Sequence, residues 1–119
     1  MNANNVISEN SDTALTAHLL VKFTATGVAL AGTGDRACGT VLNDTLIGQP
    51  AAIALRKAFG IHFVTVGNAT AILAGDELEQ LANGQVGKFV AGTKIGVARE
   101  PSSASGSIIR AYLYSSPTV

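Results

Sequence analysis

Few residues of this 119-residue chain could carry chemistry, and their spacing keeps them apart. His18 and His62 stand alone, without the clustered carboxylates or cysteines that a zinc or iron site needs. His62 lies within the apolar run IHFV, where a packed or hydrogen-bonded histidine is expected rather than a ligand. Cys38 is the single cysteine, which excludes an internal disulfide framework and a cysteine-based zinc cluster. No motif joins it to His62 as a nucleophile and base, so it reads as a small buried hydrophobe. Asp76, Glu77 and Glu79 are close together, but an aspartate after Gly75 in a turn signal is expected to cap backbone rather than to donate protons. The reading is therefore no catalytic residue, no metal site, no cofactor and no enzyme.

The one stretch that could cradle a phosphate is ALAGTGDRACGTVLND, residues 29–44, where Gly32, Gly34 and Gly39 surround Asp35 and Arg36. Its glycines do not fit Gly-x-Gly-x-x-Gly, and no amphipathic helix follows to offer an N-terminus. No Gly-Lys-Ser/Thr occurs in the chain. The stretch is expected to be a turn between strands.

Those residues must be positioned by β-structure. Residues 18–26, HLLVKFTAT, alternate, with Leu19, Val21, Phe23 and Ala25 assigned to one face. Further strand-like runs cover 27–31, 37–42, 51–55, 61–66, 78–81, 85–90, 95–98 and 107–114. Turn signals separate them, the strongest being Asn83-Gly84, a hairpin dipeptide. Two segments pull toward helix: GQPAAIALRKAFG, with Pro50 at a first helical position, and GDELEQLANG. At most one or two short helical turns are expected. Residues 1–17, rich in Asn, Ser and Thr without a period, read as an extended N-terminal arm ahead of a single β-barrel domain over 18–119.

Composition bounds the partners. The formal net charge is +0, which removes the basic field that nucleic-acid binders rely on. Charged residues are 13% against ~25% in ordinary soluble domains, so the surface is weakly defended against association. Much of the outside is expected to be covered by partners, although a small domain with a Thr/Ser-rich surface would have the same composition. The leading residues carry neither the basic nor the apolar region of a secretory signal, and no apolar run approaches a membrane helix of ~20 residues. A reducing, aqueous compartment and no membrane partner are expected.

The glycines recur in a pattern. Ala31-Gly32-Thr33 leads to Gly39, Val41 and Leu42, and Ala91-Gly92-Thr93 leads to Gly96, Val97 and Ala98. Gly48 then precedes QPAAIAL as Gly106 precedes SIIRAYL. A unit of strand, polar turn, glycine and strand occurs twice, which predicts a pseudo-symmetric all-β barrel. Gly32, Gly39, Gly75, Gly84, Gly92, Gly96 and Gly106 would serve turns or close backbone approach.

The segments ACGTVLNDTLIGQPAAIAL, AILAGDELEQLANGQVGKF and IGVAREPSSASGSIIRAYL resemble the small capsid decoration, or cement, proteins of tailed bacteriophages. The shared features are Gly96-Val97-Ala98 followed by Gly106 and an Ile-rich strand, and Ala74-Gly75-Asp76-Glu77-Leu78 ahead of Asn83-Gly84. The resemblance covers roughly residues 27–114. It implies a β-barrel or β-tulip protein, made in a bacterial host's cytoplasm and carried on the outer surface of the virion. Such a protein binds the major capsid protein at capsomer junctions, often as a homotrimer, and stabilises the head against internal DNA pressure. In that role Asn4, Asn5, Val6, Ile7 and Leu15 of the arm would contact the shell. Arg110, Tyr112 and Tyr114, alternating on the last strand, would form a subunit interface or cap a barrel end. The alternative is a small β-barrel binding module for single-stranded nucleic acid or another polymer. That function needs stacking aromatics and a cationic groove, and the same Arg110 and tyrosines supply those sparingly.

Overall fold

Short runs of Val, Ile, Leu and Thr, broken every few residues by Gly, Asn or Asp, leave the backbone little alternative to short paired strands. The computed structural model describes residues 6–56, 61–68 and 70–114. Among the described residues the strands are β1 (Val6–Asn10), β2 (Leu20–Phe23), β3 (Val28–Leu30), β4 (Gly39–Val41) and β5 (Pro50–Leu55), then β6 (Ile61–Thr65), β7 (Glu77–Gln80), β8 (Val86–Lys88), β9 (Lys94–Ala98) and β10 (Ile108–Leu113). A 3-10 turn, Ala82–Gly84, joins β7 to β8.

The strands form two five-stranded antiparallel sheets of identical order, β1-β5-β4-β2-β3 and β6-β10-β9-β7-β8. The repeat extends to connections outside the ladders. Leu15 and Thr45 exchange two backbone bonds of 2.9 Å, and Ile72 and Ser102 do the same at 2.7 and 2.9 Å. A parallel bridge from Ser11 to Val28 brings the end of β1 to β3, and Val66 bridges Val86 in the same way. Each sheet thus rolls toward closure around its own core. One cluster contains Leu15, Val21, Val28, Val41, Ala51, Ile53 and Leu55; the other contains Val64, Val66, Ile72, Leu78, Val86, Ile95 and Ile109.

Gly39 and Gly96 show why the repeat keeps its glycines. A Cβ at Gly39 would land on the carbonyl oxygen of Ala54, and one at Gly96 on that of Tyr112. Only a residue without a side chain lets β4 lie on β5 and β9 on β10 this closely. The repeat also explains His18, whose φ of 74° is uncommon for a side-chain-bearing residue. Its N–H donates to Val41 as that of Gly75, with φ 95°, donates to Ala98, each at 2.8 Å. His18 therefore occupies a position built for glycine.

Three expectations need correction. The leading segment is not a free arm over its described part: β1 pairs with β5 from Val6↔Ala54 to Asn10↔Pro50, and Leu15 is buried in the first core. Its sequence lacks a period because β1 is an edge strand whose inward positions, Ile7 and Glu9, are only half covered. Asn4 and Asn5 lie outside the described residues. Second, β2 is not half-buried along one face, since Leu20 and Val21 are both fully buried while Phe23 is exposed. Leu20 enters the second core and Val21 the first, so β2 is covered on both sides. Third, both helix-leaning segments begin as strands, β5 and β7, because the ladders on either side outweigh local propensity.

Candidate functional site

The two halves meet along a polar seam that holds most of the candidate chemical residues. Gln80, at the end of β7, donates through Nε2 to the carbonyls of Gly32 and Asp35 at 2.9 Å each. Gly84, with φ 75°, donates its N–H to Ala31 and lies directly on the Leu20 backbone. His62 of β6 is buried and shares a 3.0 Å hydrogen bond between Nδ1 and Thr40 Oγ1 of β4. Burial, and then the nearby Arg56 charge, lower its pKa and favour the neutral ring. Burial pushes the Cys38 thiol up to about 11, which leaves no thiolate for nucleophilic attack near neutral pH. Among the described residues no group of three His, Cys, Asp or Glu is arranged to hold a metal. Among the described residues no helix is long and apolar enough to cross a membrane.

The carboxylates act on backbone. Asp35 accepts the Gly32 N–H at 2.7 Å and the Lys22 ammonium at 3.0 Å, closing the glycine-rich stretch as a turn. Asp76 caps Leu73 N–H at 2.9 Å. Glu79 Oε1 gathers the N–H groups of Val90, Ala91 and Gly92 at 3.2, 3.3 and 2.7 Å, and these bonds hold its carboxyl below the usual range.

The surface of β6, β10 and β9 offers different chemistry. Strand β6 buries His62 and Val64 and turns Ile61 and Phe63 outward, the reverse of what hydrophobicity alone would choose. The register places Phe63 beside Arg110, Ile61 beside Tyr112, and Tyr112 beside Val97. Ile61, Phe63, Ile108 and Tyr112 remain 41%, 49%, 51% and 47% exposed. Arg110 is held by Glu100 at 3.2 Å, and Arg99 stacks 5.4 Å above the Tyr112 ring. The Tyr114 hydroxyl donates to Glu77 Oε2 at 3.1 Å. The result is a continuous apolar and aromatic face with its charges already paired at the margins. Exposed apolar faces of this kind are candidate surfaces for contact with another protein.

The solved structures that share this architecture include "The crystal structure of head fiber gp8.5 N base in bacteriophage phi29". The match has a TM-score of 0.73 and 15% sequence identity, and it covers 96% of this chain and 97% of the other. The fold resembles that of a phage head-fiber base. At this identity the likeness establishes the fold alone. No family model and no curated protein sequence matches the chain.

The sequence-derived residues fall into groups. Arg110, Tyr112 and Tyr114 are exposed at β10 and its end, and the structure adds Ile61, Phe63 and Ile108, which the strand pattern had hidden because apolar residues in a β-run are normally assigned inward. Of the glycines, Gly39 and Gly96 sit at strand contacts, while Gly75, Gly84 and Gly106 have positive φ. Gly32 and Gly92 donate their N–H groups to Asp35 and Glu79. In the arm set, Val6 is exposed, Ile7 packs on the first core and Leu15 is inside it.

Proposed function

We propose that this protein is a structural component of a tailed-phage virion, a decoration protein bound to the outside of the assembled head. The observation that carries the reading is the likeness, over nearly the whole length of both chains, to a protein described as a phage head-fiber base. The phage-cement motifs in the sequence and the exposed face of β6 and β10 point the same way. In this reading the major capsid protein is the partner, the contact lies at capsomer junctions, and the role is to hold neighbouring shell subunits against internal DNA pressure.

Two surfaces would serve. The face carrying Phe63, Ile108, Arg110 and Tyr112, with Tyr114 at its border, joins copies of the chain into a homotrimer, where heterologous contacts close a ring. The free edge of β1 meets the shell, adding backbone pairing to a shell strand with exposed Val6 beside it. Three weak contacts linked through one trimer gain avidity of ~10²–10⁴-fold when the geometry matches. The test is to mix the purified protein with empty mature heads and image them by electron microscopy. Density at regular lattice positions is expected. Bare shells at saturating protein, with binding to an oligonucleotide instead, would overturn the reading in favour of a nucleic-acid module.

A further inference from the structure

The seam contains a buried cation, Arg56, with no carboxylate partner among the described residues. Arg56, at the end of β5, is 4% exposed, and its guanidinium donates from Nε to the Tyr114 carbonyl at 2.9 Å and from Nη1 to the Ala37 carbonyl at 3.0 Å. These are neutral acceptors. Among the described residues the ion pairs are Lys22–Asp35, Lys88–Asp76, Lys94–Glu77 and Arg110–Glu100, so neither Arg56 nor Arg36 has a carboxylate partner. Buried charges in proteins are normally paired, because desolvation costs several kcal/mol per ion.

Arg56 opens onto a cleft of about 260 Å³ whose walls also include Asp35, Arg36, Gln80, Thr93 and Lys94. Both halves contribute: residues 34–36 precede β4, while Thr93 precedes β9 and Lys94 opens it. Three cations thus face one carboxylate, and that carboxylate, Asp35, is already engaged by Lys22 and the Gly32 N–H. Lys94 is shared with Glu77 at 3.2 Å and lies 5.0 Å from the Phe89 ring centre. Burial, and then the nearby Arg36 charge, hold the Arg56 guanidinium below its ordinary range.

We propose that this cleft binds one oxyanion group, a carboxylate or a phosphate, clasped by Arg36 and Arg56 from the first half and Lys94 from the second. Planar guanidinium groups suit either anion through paired N–H bonds. The volume admits a single such group with a short stem rather than a nucleotide. The anion would join the halves across the seam. It comes either from solution or from an acidic side chain of a bound protein. This site is independent of the head-decoration reading and stands or falls separately.

The test is an amide chemical-shift titration of the full chain with sodium phosphate, sodium acetate and an acetylated, amidated Gly-Glu-Gly peptide, each against sodium chloride at matched ionic strength. Saturable shifts are expected at Gly34, Arg36, Thr93 and Lys94, with affinity about tenfold weaker in Arg36→Gln. Arg36 is exposed, so this substitution leaves the core intact. Saturation by phosphate or acetate means that a free anion suffices, whereas saturation by the peptide alone means that the site takes a protein carboxylate. Shifts no larger than those from chloride, or affinity unchanged in both Arg36→Gln and Lys94→Gln, would overturn the proposal.

Discussion

The two halves of the molecule have the same ladder and opposite surfaces. On the outer side of the first sheet, β1 and β5 present Val6, Ser8, Ala52 and Ala54; at the matching positions of the second sheet, β6 and β10 present Ile61, Phe63, Arg110 and Tyr112. The turns invert the difference. The turn closed by Gln49 N–H on Leu46 carries exposed Leu46 and Ile47, while its counterpart, closed by Ser107 N–H on Ala104, carries Ala104 and Ser105. One half is therefore a control for the other. The backbone folds without large apolar groups on the sheet face or at the turn, so the fold does not require those groups where they stand.

The comparison predicts where damage should be symmetric. Gly39→Val and Gly96→Val each force a side chain onto a facing carbonyl, and each should cost more than ~3 kcal/mol or abolish folding. Heteronuclear spectra of the two variants check this, and a well-folded variant from either position would break the equivalence. Leu15→Ala and Ile72→Ala should each cost ~2–5 kcal/mol in urea unfolding, since both side chains are almost fully buried at matching bridges. A near-zero cost at Leu15 would return the leading segment to the role of a dispensable arm. Gln80→Ala strands two seam carbonyls and should cost ~1–3 kcal/mol by the same measurement.

The smallest expected effect is a pH dependence that arises from His62. Burial lowers the folded-state pKa of His62, so protons bind the unfolded chain first as pH falls. Stability should be full above the ordinary histidine value of ~6.5 and decline as pH drops from there toward the folded value. His62→Gln should flatten that decline in urea titrations between pH 7 and pH 5. An undiminished slope would mean that the ring is not the titrating group.

Much of this was legible in the residues. Strand positions followed from β-rich runs between turn dipeptides, and the doubled Ala-Gly-Thr with its following glycines disclosed the repeat. Asp76 proved to be a backbone cap, as its place after Gly75 suggested, and the glycine-rich stretch around Asp35 proved to be a turn. What stayed hidden has a physical cause. An edge strand such as VISEN, covered on one side only, has too little apolar alternation to stand out. In IHFVT the apolar residues that face outward cannot be told from core by pattern, because Ile61, Phe63 and Val64 are all apolar and give no polar alternation to mark the exposed face. Arg56 gave no sequence signal, since its burial depends on β5 and the end of β10 meeting across the seam.

Sedimentation velocity on the wild-type chain and on Phe63→Ser/Tyr112→Ser, at the same micromolar concentration, tests most directly whether the second sheet was shaped for its own kind. Both side chains are about half exposed, so the doubly substituted chain should keep its fold while the wild type sediments as an oligomer and the variant as a monomer. Two identical profiles, whether monomeric or oligomeric, would contradict the account.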